Sequence, residues 1–100
     1  MLFSIVCRDK PNSVELRMAT RPTHLEYLKA RTDNILVGGP VLGGGANGEE
    51  PTGSHLIVEA PDLAAAKKFA DDDPYALAGL FESVDIRPWR KVFFNASLAE

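Results

Sequence analysis

One hundred residues with 45% apolar and 25% charged side chains make a single domain able to bury a modest core, and they exclude a disordered or fibrous chain. A net charge of −3 leaves no basic stripe for the phosphates of a nucleic acid. No apolar run approaches the roughly 20 residues of a bilayer span. Met1-Leu2-Phe3 leads into a strand pattern without a charged leader, so a soluble, cytoplasmic protein with no membrane or nucleic-acid partner is expected.

Residues 2–8 alternate around Phe3, Ile5 and Cys7 and predict a first strand, apolar on both faces. Cys7 has no thiol partner and reads as a small buried residue of a reducing compartment. Asn12, with Glu15 three residues on, resembles a capping box that opens a short helical turn through Leu16 and Met18. Thr20 and Pro22 then read as the cap and first turn of the main helix, predicted over 21–32. On it Leu25, Leu28 and Thr32 face the core, flanked by a stripe of His24, Tyr27 and Arg31.

A second strand is predicted over 35–42, where Gly38-Gly39-Pro40 marks an edge or a bulge. The Gly-rich, acidic segment 43–52 reads as a mobile loop. It lacks the Lys-Ser/Thr ending of a phosphate loop and precedes a strand, so no nucleotide site is expected. The third strand is predicted over 53–60. Asp62 caps a helix whose apolar stripe is Leu63, Ala66, Phe69 and Ala70. Asp73-Pro74 restarts the chain as a short helix through Gly79, and residues 80–94 form a last strand interrupted at Pro88. The domain spans 1–95, with 96–100 a loose tail.

The order strand, helix, strand, strand, helix, strand is the split pattern of a ferredoxin-like α+β fold, with helices on one face of an antiparallel sheet. Phe3, Ile5, Ile57, Phe81, Trp89 and Phe93 are too many large apolar groups for a water-facing sheet surface, so a homodimer is expected to cover it.

His24 is the first candidate for chemistry. On the opening turn of the predicted helix it would feel the positive end of the helix dipole, which favours a neutral imidazole able to accept a proton. Its partner is sought in the downstream stretch Asp71-Asp72-Asp73-Pro74-Tyr75. A hydrogen-bonded or solvent-facing histidine is the plainer alternative.

Taken together, Arg21-x-x-His24-Leu25, Gly39-Pro40, Asp73-Pro74-Tyr75, Ala78-Gly79-Leu80 and Arg87-Pro88-Trp89 resemble the YciI-like (YCII-related) family of small proteins, from Met1 to about Phe94. The resemblance implies a ferredoxin-like dimer akin to dimeric α+β barrels, and a site that pairs a histidine with an aspartate, carried here by His24 and Asp73. The activity implied is a lyase- or isomerase-type reaction, independent of a cofactor, on a small aromatic or carboxylate catabolite. The alternative is a non-catalytic ligand-binding or assembly module on the same dimer. A carboxylate accepting from one ring nitrogen would fix the tautomer and present the other nitrogen as a base. Tyr75 is a candidate to orient a small-molecule ligand, and Arg8 and Arg21 to hold its carboxylate or phenolate. Ser54 is the one hydroxyl carried as a possible nucleophile or ligand contact; its plainer reading is a strand-start hydrogen bond. Two histidines and no cysteine pair make a closed metal site unexpected.

Overall fold

The computed structural model describes residues 1–99; of the expected loose tail, Glu100 lies outside the described residues. Four strands, β1 (Leu2–Asp9), β2 (Ile35–Gly44), β3 (Glu50–Glu59) and β4 (Phe81–Trp89), form one antiparallel sheet in the order β2-β3-β1-β4. Helices α1 (Val14–Lys29), α2 (Leu63–Asp71) and α3 (Pro74–Leu77) complete the expected ferredoxin-like α+β architecture.

The register decides which side chains meet the helices. Phe3 opposes Val58, Ile5 opposes Leu56, and Cys7 opposes Ser54. These residues share the helix-facing side, since side chains alternate along a strand. Phe3, Ile5, Cys7, Leu56, Val58, Ala60, Ala66 and Ala70 form the buried core, and Leu28, Ile35, Phe69, Phe81 and Ile86 pack around it. The outer-face reading of Phe3, Ile5 and Phe81 is therefore corrected: all three serve the helix-side core. The outer face carries Leu2, Ser4, Val6, Arg8, His55, Ile57 and Trp89 instead. There Val6, Val37, Val41 and Trp89 are exposed, while Ile57 is already covered.

Gly53 on β3 is required by close approach, because a Cβ there would lie 2.2 Å from the Cys7 carbonyl oxygen. β3 begins at Glu50, ahead of the expected 53, because residues 50–52 pair with β2 and leave only residues 45–49 as the connecting loop. β4 ends at Trp89, not at 94. Its pairing with β1 stops at Leu2, the first residue of that strand, so residues beyond Trp89 have no ladder to join. Phe93 therefore lies past the sheet and is exposed. The tail holds a single 3₁₀ turn, Ala96–Leu98, capped by Asn95.

The largest departure is in α1. One continuous helix runs from Val14 to Lys29 and carries Pro22 inside it, where two segments were expected. The Asn12 capping box is not formed, since Asn12 has φ +58° and Ser13 occupies the cap position without a side-chain bond. Thr20 caps nothing; its hydroxyl donates to the Leu16 carbonyl at 2.8 Å within the helix. Continuity places Arg17, His24 and Leu28 on one stripe, at separations of seven and four residues, and burial of that stripe offsets the proline's missing donor.

α2 is capped as expected, with the Asp62 carboxylate accepting from the Ala65 N–H at 2.8 Å. α3 ends in the two reversed bonds of a Schellman turn, Leu80 N–H to Tyr75 O (3.1 Å) and Gly79 N–H to Ala76 O (3.0 Å). Gly79 takes the φ of +76° that this turn demands. The turn fixes Tyr75 and Leu80 in the interior, at 2% and 0% exposure.

Candidate active site

Three elements converge on one cavity of about 500 Å³ between the sheet and α1. α1 contributes Arg17, Met18, Arg21, His24, Leu25 and Leu28, β3 contributes Ser54 and Leu56, and the start of α3 contributes Tyr75. Gly38, Gly39 and Pro40 of the edge strand β2 line it as well. The volume falls within the range of small-molecule sites, and the mixture of apolar walls with a few converging polar groups is their usual chemistry.

His24 and Asp73, 49 residues apart, meet here: His24 Nδ1 lies 2.9 Å from Asp73 Oδ1, with both residues buried. An ionised carboxylate only accepts, so a neutral ring would carry its proton on Nδ1 and leave Nε2 as an acceptor. Among the described residues Nε2 has no protein partner and no sealed side-chain nitrogen lacks one, so it opens on the cavity that His24 lines. The same Asp73 oxygen accepts the Tyr75 backbone N–H at 2.9 Å. Helix capping and pairing with the histidine are thus one arrangement: the cap sets the carboxylate where the imidazole needs it.

His24 is the eleventh residue of the sixteen-residue α1, not on its first turn. The positive end of the helix dipole, expected to act on it, does not reach it, because that field fades within the terminal turn. Its surroundings are set by stacking instead. The Tyr75 ring lies 4.0 Å from the His24 ring, nearly parallel at 19°, and the Arg17 guanidinium carbon covers Tyr75 at 4.5 Å from its centroid.

Arg17, which the sequence reading did not single out, is 3% exposed. Asp9, at the end of β1, accepts from its Nε at 2.7 Å and from its Nη2 at 2.9 Å, a two-pronged pair, and Nη2 also donates to Ser54 Oγ at 2.8 Å. Burial alone would lower the Arg17 pKa, but the Asp9 hydrogen bond and charge outweigh it and leave the guanidinium pKa raised. Arg17 lies seven residues before His24, two helical turns along one stripe. That spacing was the available signal, and the break expected at Thr20 to Pro22 concealed it.

The remaining candidates divide. Arg21 and Ser54 line the cavity, Ser54 as the buried acceptor for Arg17. Burial raises the Tyr75 pKa, with Arg17 opposing, so its phenol remains protonated. Arg8 is not brought here. It points to the outer sheet face and lines a separate cavity of about 650 Å³ with Val6, Lys10, Val41 and Thr52. That cavity is the larger, but it holds no histidine or cysteine and no paired acid and base. His55 is also on the outer face, 2.9 Å from Ser4 Oγ. Burial, then the Asp73 charge, push the Cys7 thiol up to about 12, which suits a packing residue. No group of metal-binding side chains occurs among the described residues.

Comparison with known proteins finds relatives in both sequence and structure. Protein YciI of Escherichia coli O6:H1 is 40% identical over 98 residues, covering 93% of this chain and all of that protein. A protein of Haemophilus influenzae is 37% identical over 100 residues, covering 93% of this chain and all of its own. Among solved structures, 5-chloro-2-hydroxyhydroquinone dehydrochlorinase from Burkholderia phenoliruptrix AC1100, in complex with 2,5-dihydroxybenzoquinone, superposes with a TM-score of 0.83 at 38% identity, over 90% of this chain and 94% of that one. An antibiotic biosynthesis monooxygenase shares the fold alone, with a TM-score of 0.51 at 17% identity over 92% of this chain and 99% of that one. The YCII-related domain matches residues 1–90, and with these relatives it establishes that the chain belongs to the YCII-related domain family.

Proposed function

We propose that this protein is a small-molecule enzyme whose His24, held by Asp73, moves a proton on a hydroxylated aromatic compound without a cofactor. The observation that carries the reading is the buried 2.9 Å contact between His24 Nδ1 and Asp73 Oδ1, with Nε2 left over for the cavity. Nε2 takes the proton from a ligand hydroxyl or an acidic ring carbon. Asp73 stabilises the imidazolium that results, and His24 returns the proton to the product or to a leaving group. Apolar walls from Met18, Leu25, Leu28 and Leu56 suit a planar ring, and the neighbouring 5-chloro-2-hydroxyhydroquinone dehydrochlorinase makes such rings the first substrates to try.

Titration with 2,5-dihydroxybenzoquinone, the ligand of that neighbour, tests the reading. Micromolar binding to the wild type that is lost in Leu56→Trp, which fills the cavity, supports it. Equal binding by both proteins, or none by the wild type to this compound or a panel of hydroxyquinols, sinks it.

A further inference from the structure

Arg17 carries five N–H donors in a rigid fork. Asp9 takes two of them and Ser54 Oγ a third. Among the described residues the remaining N–H groups meet no carboxylate or carbonyl; the Tyr75 ring lies against the fork, its centroid 4.5 Å from the guanidinium carbon, and its phenol brings a donor of its own. No sealed side-chain nitrogen among the described residues lacks a partner, so these donors open on the cavity that Arg17 lines. Ser54 repeats the pattern. Its oxygen accepts the Arg17 bond, and among the described residues its hydroxyl hydrogen is donated to no protein acceptor, which leaves it for a ligand. Donors thus outnumber acceptors on this side of the cavity, while His24 Nε2 is an acceptor on the other side of the Tyr75 ring. Asp9 balances the Arg17 charge and Asp73 stands behind His24, while Arg21 at the cavity wall makes no ion pair among the described residues.

We infer that Arg17, Ser54 and Tyr75 form an oxyanion subsite that selects hydroxylated aromatics in their phenolate form and turns the ring toward His24. The inference rests on the functional reading above and adds the ionisation state of the ligand. A neutral phenol accepts weakly and brings a further donor into a corner already rich in them, whereas a phenolate oxygen accepts strongly from several at once. Asp9 acts as a positioning residue, fixing the plane of the fork without touching the ligand.

The probe is 4-nitrocatechol, whose neutral and ionised forms absorb at different wavelengths, added one pH unit below its ionisation in water. The wild-type protein should bind it with the spectrum of the ionised form, its apparent ionisation falling by about 1–2 pH units, as expected for an acid placed within reach of an arginine. Arg17→Met should return the bound probe to its neutral spectrum, at least a tenfold change in the ionised-to-neutral ratio. Ser54→Ala gives the same direction with a smaller shift, and it serves alone if Arg17→Met fails to show a native melting transition. His24→Ala should keep the ionised spectrum, because the donors and not the base hold the charge. A probe bound by the wild type in its neutral form overturns the subsite, as does one that stays ionised in Arg17→Met and Ser54→Ala alike; the cavity reading survives both results. Absence of any binding by the wild type overturns the subsite together with the aromatic reading.

Discussion

Replacing Asp73 separates what its oxygen does from what its charge does. In Asp73→Ala, the His24 Nδ1–H and the Tyr75 backbone N–H both lose their acceptor in a buried setting. A lost helix cap costs about 1 kcal/mol. A stranded buried donor adds about 1–3 kcal/mol. The sum is a loss of about 2–4 kcal/mol, and in a domain of this length each kcal/mol lowers Tm by about 4–8 °C. Asp73→Asn keeps an oxygen in the same place, and Asn caps about as well as Asp, so stability should stay within about 1 kcal/mol of wild type. Turnover should nonetheless fall by about 10²–10⁴, because no negative charge remains to stabilise the imidazolium. Urea unfolding followed by far-ultraviolet circular dichroism measures the stability of all three proteins. If Asp73→Asn is as damaging as Asp73→Ala, charge and not geometry holds the pair, His24 is an imidazolium at rest, and its role as proton acceptor is refuted.

Three further outcomes follow from the same structure. Gly53→Ala should cost about 2 kcal/mol or more in urea unfolding, because its Cβ would fall 2.2 Å from the backbone oxygen of Cys7 and only strand movement relieves that contact; an unchanged midpoint would show that the β1–β3 spacing is not that tight. Cys7 has a folded pKa of about 12 against an ordinary 9.0, so its contribution is fully present below pH 9 and lost as pH rises toward 12. Tm should therefore fall less steeply across that window in Cys7→Ala than in wild type, and equal slopes would count against the burial account. The exposed outer-face residues Val6, Val37, Val41 and Trp89 predict a homodimer by sedimentation, weakened by Val37→Asp; a monomer at micromolar concentration would reject it. Ile57, though on that face, is only 5% exposed, so a charge there would damage the monomer as well.

The strands, the Asp62 and Asp73 caps and the edge position of β2 were legible because each rests on local chemistry: alternation, an N-cap side chain, a proline without a donor. What misled was also local. Thr20 and Pro22 carry a genuine helix-start signal, but burial of the Arg17, His24 and Leu28 stripe outweighs it, and no local pattern weighs a tertiary gain against a lost hydrogen bond. The face assignment of Phe3 and Ile5 failed for a related reason. β1 is apolar on both sides, so alternation alone does not say which side the helices cover. The arginine of the cavity went unread because its acceptors, Asp9 and Ser54, come from two strands that the sheet brings together.

Proton transfer itself is the claim to test. Hydroxyquinol, incubated anaerobically with the protein in D₂O and followed by proton NMR, reports directly on removal and return of ring protons. The account predicts that wild type accelerates loss of a ring C–H signal and that His24→Ala, shown folded by its melting transition, does not. Exchange at the same rate with either protein, or at the uncatalysed rate with wild type at saturating ligand, would contradict it.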